Sequence, residues 1–165
     1  MFQNIRSTSG SRTNGIIEAC KTLNLPNVLC FSEHWQKEQI LETIKNDNYK
    51  LEDSYCRNEH IHGSTAIFVE QSIDFLCQNE IKKLSVELHF ECTAIEILNP
   101  NYIICCVYRS PDGDLNIFFD KLTQLLNMYE ISHSKLIIGG DFNIDMLKNN
   151  QNKSKLLDVF SSYGL

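Results

Sequence analysis

Leu136-Ile137-Ile138-Gly139-Gly140-Asp141-Phe142-Asn143 is an apolar run that meets two glycines and then delivers an acid and an amide two residues apart. The run reads as a buried strand over 135–139. Glycine permits close backbone approach and dihedrals closed to other residues. Alternation along a strand would turn Asp141 and Asn143 to the same side. A carboxylate so placed can orient or deprotonate water. A side-chain amide can donate to an oxygen that gains charge. The same letters also describe a strand that simply stops in an Asp/Asn turn, and spacing alone leaves both readings open.

Outward from this stretch, short apolar runs alternate with helical patterns. Strands are predicted over 2–6, 28–32, 49–55, 65–70, 84–90, 92–98 and 102–108. The runs 84–90 and 92–98 alternate apolar and polar residues, as half-buried strands do, whereas 102–108 is apolar on both faces. Helices are predicted over 15–24, 38–46, 115–129 and 153–163. In the third, Leu115, Phe118, Phe119, Leu122, Leu125 and Leu126 form one stripe. Strand follows strand in the middle, and helices mix in at the ends. This pattern predicts an α+β fold in which two sheets pack on each other with helices outside. No linker or repeat divides residues 1–165, so a single domain is expected.

The chain has 165 residues, 42% of them hydrophobic and 22% charged, which excludes disordered and low-complexity classes. Its net charge of −6 is unlike that of a module gripping nucleic acid through many phosphates. It is compatible with a metal-dependent phosphodiesterase, whose site needs carboxylates to hold the cation. The seven cysteines are odd in number and none forms a two-residue-spaced pair. They read as core thiols in a reducing compartment rather than as zinc ligands or disulfides. The first ten residues carry no apolar signal segment, and no run approaches a membrane span. A soluble, intracellular chain in cytoplasm or nucleus, without a membrane partner, is the expectation.

Three further places can carry chemistry. Glu33 follows the strand 28–32 and precedes Trp35. It suits a hard-metal ligand, and equally an acid at a helix start. Asn4 sits on the first short strand. Tyr108 and Arg109 leave the end of the most apolar strand and are able to meet a phosphate, or to be ordinary residues before the Pro111 turn. Each lies at or just past a strand end, where sites form in layered α/β proteins. His60 and His62 are spaced like a metal pair but sit in a polar loop that favours solvated side chains.

Taken in order, Asn4, Ser32-Glu33-His34-Trp35, Val107-Tyr108-Arg109-Ser110-Pro111 and Gly140-Asp141-Phe142-Asn143 resemble the endonuclease/exonuclease/phosphatase superfamily. That is the four-layer DNase I-like fold. The chain is most similar to the apurinic-endonuclease-like endonuclease domain of non-LTR retrotransposons, over essentially its whole length. The resemblance implies that Glu33 holds a divalent metal, usually magnesium with manganese possible as a substitute, and that Asn4 helps place the metal and the phosphate. It further implies that Asp141 activates the attacking water, that Asn143 supports Asp141 and the phosphate, and that Tyr108 contacts the scissile phosphate. All five are then expected around one pocket. The implied reaction is hydrolysis of DNA with the metal as Lewis acid, in a domain that can belong to a longer reverse-transcriptase polyprotein.

The chain departs from that pattern in three places. The family carries a late Asp and a Ser-Asp-His element on strands after its GDFN motif. No histidine follows Asn143 here, and 144–165 offers one more helix. A group of that kind is worth about 10²–10⁴ in rate. A domain missing its last strands, with an unpaired sheet edge and weak or no activity, is therefore expected. Arg6 stands where apurinic endonucleases carry an acid. The turn before the middle strand has one glycine, Gly63. The alternatives are a catalytically dead scaffold of the same fold, or a phosphatase or RNA-cleaving member.

Overall fold

Strand β7 (Tyr102–Tyr108) shows why the chain folds in layers. Its side chains alternate between two different cores. Ile103, Cys105 and Val107 pack under helices, whereas Cys106, with Ile104 and Tyr102, faces a second sheet. A strand apolar on both faces is stable only where both are covered. A computed structural model describes residues 1–6, 15–16, 26–44, 47–130 and 135–165.

Among the described residues the strands are β1 (Phe2–Asn4), β2 (Val28–Ser32), β3 (Tyr49–Tyr55), β4 (Thr65–Glu70), β5 (Phe75–Cys77), β6 (Glu91–Ile97), β7 and β8 (Lys135–Asp141). They form two four-stranded sheets, β1-β2-β4-β3 and β5-β6-β7-β8. The sheets meet through Val28, Cys30, Ile67 and Val69 on one side and Ile95, Ile97 and Cys106 on the other. On the outer face of the second sheet lie the helices Leu115–Glu130 and Gln151–Ser162, with Phe118, Leu122, Leu125 and Leu156 in their core. The outer face of the first buries Leu29, Phe31, Ala66 and Phe68 with Leu41 of the short helix Glu38–Leu41. The result is a four-layer α+β sandwich, as the element pattern predicts.

Two parallel pairings set the direction of the site. β1 runs parallel to β2, and β7 parallel to β8. Asn4 thereby pairs with Ser32, and Tyr108 with Asp141. All four strands deliver their C-terminal ends to the same end of the sandwich. Gly139 lets the two sheets close there, because a Cβ at this position would come within 2.9 Å of the Phe2 ring. Gly140 sits at φ +137°, and a Cβ there would collide with the Val107 carbonyl.

Several expectations are corrected. Residues 84–90 are not a strand. They fold back on themselves, with Val86 and Phe90 bridged and Leu88 at φ 70°, so their alternation serves a tight loop. The strand β5 and the helix Asn79–Lys82 take up a stretch the pattern left unassigned. The helix over 38–46 is one turn, Glu38–Leu41, and 45–46 lie outside the described residues. The helix over 15–24 lies largely outside them too. β8 extends through Gly140 to Asp141, and it is an edge strand bonded on one side, to β7. Cys30, Cys92, Cys105 and Cys106 are buried free thiols, but Cys77 is exposed and Cys56 half-buried, while Cys20 lies outside the described residues. No described helix is long and apolar enough to cross a membrane.

Gly140→Ala is expected to destabilise the fold by more than about 1 kcal/mol, since the new methyl meets both a forbidden dihedral and a carbonyl. A urea midpoint equal to wild type would show that β8 does not depend on this glycine.

Candidate active site at the common strand ends

The parallel registers bring the sequence candidates into one hydrogen-bonded chain. Asn4 Nδ2 donates to Asp141 Oδ2 at 2.5 Å, joining residues from the edges of two sheets. Asn4 Oδ1 accepts the Arg6 main-chain N–H at 3.2 Å. The Arg6 guanidinium lies 3.6 Å from Glu33 Oε2. The Tyr108 hydroxyl donates to Glu33 Oε1 at 2.8 Å. Asp141, Asn4, Arg6, Glu33 and Tyr108 thus form a continuous polar seam. Burial, and then the Glu33 carboxylate it donates to, push the Tyr108 pKa well up, so the phenol stays a donor.

Asn143 is placed differently from the strand-alternation expectation. The strand ends at Asp141, and Asn143 takes a left-handed φ of 50°. Its side-chain amide turns back to donate to Arg109 O at 2.6 Å, and its main-chain N–H donates to Asp141 Oδ1 at 3.1 Å. Asn143 therefore steadies Asp141 through the backbone. Arg109, read from sequence as able to meet a phosphate, is buried and saturated by carbonyls. It donates to Phe142 O, Asn143 O and Gly113 O at 2.9, 2.7 and 2.6 Å. Its five fixed donors clamp the loop after β7 to the loop after β8.

The candidates line two clefts rather than one. Glu33 and Tyr108 border a cleft of about 420 Å³ with Arg6, Arg57 and Trp35. Asp141 and Asn143 border a cavity of about 650 Å³ with Phe142, Leu156 and Phe160. Asn4 links the two through its bonds to Asp141 and to the Arg6 main chain.

Glu33 lies on a loop held in an uncommon conformation. Glu33 and Trp35 both have φ 58°, and the facing His62 and Ser64 have φ 72° and 78°. The loops are tied by Glu33 N–H to Ser64 O at 2.9 Å and Trp35 N–H to Gly63 O at 3.3 Å. Each such non-glycine residue costs roughly 1–3 kcal/mol, and such costs concentrate at functional sites. A buried ion pair that the sequence reading missed anchors the second loop. Arg57 Nε donates to Glu91 Oε1 at 2.6 Å, and Glu91 Oε2 accepts Ser64 N–H at 2.6 Å. Glu91 pairs with Tyr108 across β6 and β7, and the Arg57 guanidinium lies 5.7 Å from the Tyr108 ring centroid. Only the position of Glu91, at the head of an alternating run, hinted at it.

The lone pairs beside Glu33 are oxygen, its own carboxylate and the Tyr108 hydroxyl, with the Arg6 guanidinium 3.6 Å from Oε2 and the Asn4 amide oxygen one step further along the seam. Among the described residues no group of three or more His, Cys, Asp and Glu clusters as a metal site. Hard cations such as magnesium bind through one or two carboxylates and keep several waters, so one carboxylate with neighbouring oxygens fits that ion better than zinc. His60 and His62 do not form a pair. His60 Nδ1 lies 2.8 Å from Glu87 Oε2, whereas the His62 ring packs at a tilt against Trp35.

Solved structures similar to the chain include the following three. The endonuclease domain of TRAS1, a telomere-specific non-LTR retrotransposon, is 14% identical with a TM-score of 0.71, over 98% of this chain and 70% of that one. A mannosyl-6-phosphatase of Bacteroides thetaiotaomicron is 11% identical with a TM-score of 0.60, over 94% and 68%. An endonuclease/exonuclease/phosphatase family protein of the same organism is 11% identical with a TM-score of 0.59, over 94% and 66%. The chain thus spans about two thirds of the length of these proteins. No protein-family model matches the sequence, and no curated protein matches it. The fold is that of the DNase I-like endonuclease/exonuclease/phosphatase proteins.

His34, next to Glu33, gives the site loop a pH dependence. It is buried, with Nε2 3.2 Å from Thr65 O and Nδ1 accepting the Gln36 N–H at 3.1 Å. Burial lowers its pKa from 6.5 to about 4. Between these values the unfolded chain binds more protons, so this contribution to stability is complete above pH 6.5 and is lost as pH falls towards 4. It amounts to about 3 kcal/mol. Urea midpoints measured from pH 7 to 4.5 are expected to fall, and His34→Gln is expected to remove this part of the slope. An identical slope in the variant would show that His34 does not carry it.

Proposed function

We propose that residues 1–165 carry the metal-binding and water-orienting half of a divalent-metal-dependent phosphodiesterase site, of the retrotransposon DNA endonuclease type. The seam from Asp141 through Asn4 and Arg6 to Glu33 and Tyr108 supports this reading, because it gathers two carboxylates and a phenolic donor at one end of a DNase I-like sandwich.

Glu33 and the Asn4 amide oxygen would hold magnesium or manganese. The ion, when bound, supplies Lewis-acid stabilisation of charge on the phosphoryl group. Asp141, fixed by the Asn4 amide and the Asn143 N–H, orients water for attack and is placed to take its proton. The Tyr108 hydroxyl donates to Glu33, and can turn its donation to a phosphate oxygen entering the cleft. Arg6, whose side chain is 79% exposed beside Glu33, is placed to meet the same phosphate. None of these residues is a histidine able to move a proton or stabilise charge at the phosphate, so turnover by them alone is expected to be slow. A DNA substrate is proposed by analogy with the retrotransposon endonuclease domain, and the phosphatase neighbour of the same fold makes a phosphomonoester the alternative.

Protein shown to melt cooperatively is expected to nick supercoiled plasmid slowly in magnesium, and to gain thermal stability on adding the ion. Asp141→Ala should reduce nicking about 10²-fold or more, and Glu33→Ala should abolish the thermal shift. A well-folded chain that neither nicks nor responds to magnesium or manganese would instead be a scaffold that keeps the fold without the chemistry.

A further inference from the structure

Trp35 and His62 have no part in the half-site, yet they stand at its mouth. Their ring centroids are 4.0 Å apart, at an interplanar angle of 39°. Trp35 is 37% exposed, and the adjacent Ile61 is 78% exposed. Both aromatics line the same cleft as Glu33 and Tyr108. An exposed indole, in a sandwich that buries Phe31, Phe68, Phe90, Phe118 and Phe119, calls for a local cause. The backbone supplies one, since Trp35 and His62 are both left-handed and their loops are bonded through Gly63 and Ser64. Gly63 itself is pressed on the Arg57 guanidinium, which leaves no room for a Cβ. The loop carrying His62 is thus bolted to the buried Arg57–Glu91 pair beneath Tyr108. The aromatic pair is a fixed feature, two residues from Glu33.

We infer that the Trp35–His62 pair is a platform for a nucleobase of the strand whose phosphate enters the Glu33 cleft. This rests on the phosphodiesterase reading and extends it to how the strand is held. Charge supports it. A chain of net charge −6 gains little from counterion release, so its hold on a nucleic acid strand must come from contacts other than many phosphates. Base–aromatic stacking is such a contact, and it tolerates any base because each has a π-face. The cleft, at about 420 Å³, falls within the ~300–1,000 Å³ range of ligand sites, with room for more than an ion.

Trp35 is the single tryptophan of the chain, so intrinsic emission reports on the platform alone. The full chain would be titrated at low salt, with magnesium present, against a short thymidine oligonucleotide and an abasic deoxyribose-phosphate oligomer of equal length. Strand integrity would be checked on a gel. The base-bearing strand is expected to quench Trp35 emission and, by anisotropy of an end label, to bind about 5- to 150-fold more tightly than the abasic one. Trp35→Ala should bring the base-bearing strand down to abasic affinity and leave the abasic affinity unchanged, and His62→Ala should fall between. Equal binding of both strands, or an unchanged affinity in Trp35→Ala, would overturn the platform and leave the nicking result untouched. Binding of neither strand would overturn the platform, and plasmid nicking then decides the phosphodiesterase reading separately. If Trp35→Ala fails to melt cooperatively, the comparison of the two strands on the unaltered protein still decides.

Discussion

The closure of β1 onto β8 is the constraint on which the rest of the molecule depends. These are the edge strands of different sheets, and they are not paired with each other in either sheet. Only the absence of a side chain at Gly139 lets the Phe2 ring settle against β8. That contact sets where β1 ends, and so puts the Asn4 amide on the Asp141 carboxylate. A sandwich with the same strands and a wider seam would hold the same residues and no site. Interiors are close-packed enough that a displacement of one methyl group is felt, and here the packing sets the reach of a polar contact.

The loops above that seam are organised by groups that are individually unfavourable. Four non-glycine residues are left-handed where the loop of Glu33 meets the loop of Ser64. Beneath them Arg57 and Glu91 form an ion pair with side chains 4% and 0% exposed. Desolvating such a pair offsets most of its attraction, so it is weak support for stability. It does specify geometry, because Glu91 must satisfy Arg57, Ser64 and Leu88 from one position. Specificity and rigidity at the strand ends, rather than added stability, are what these contacts contribute.

The layered fold was legible because its strands have clean signatures. Val28–Ser32, Tyr49–Tyr55, Thr65–Glu70 and Tyr102–Tyr108 are each an apolar or alternating run bounded by turn residues, and both long helices show their stripe. Residues 84–90 misled because a tight loop that tucks Leu84 and Phe90 into a core alternates just as a strand does. The seam residues were legible only as a set, since Asn4 or Glu33 alone fits several bland roles. Asn143 misled where strand alternation was carried past the last strand residue. Arg57 was illegible, because nothing near it in sequence announces a partner 34 residues away.

The bond from Asn4 to Asp141 spans 137 positions of sequence. Contacts of such separation form late, after the loop entropy between them has been overcome. During synthesis the segment holding Glu33 emerges early, and Tyr108 later, but Asn4 has no Asp141 to meet until β8 leaves the ribosome. Asn4 and Asp141, partners in the seam, thus reside in parts of the chain made at different times. The polar seam therefore closes only when the sandwich shuts, however early its first members are made.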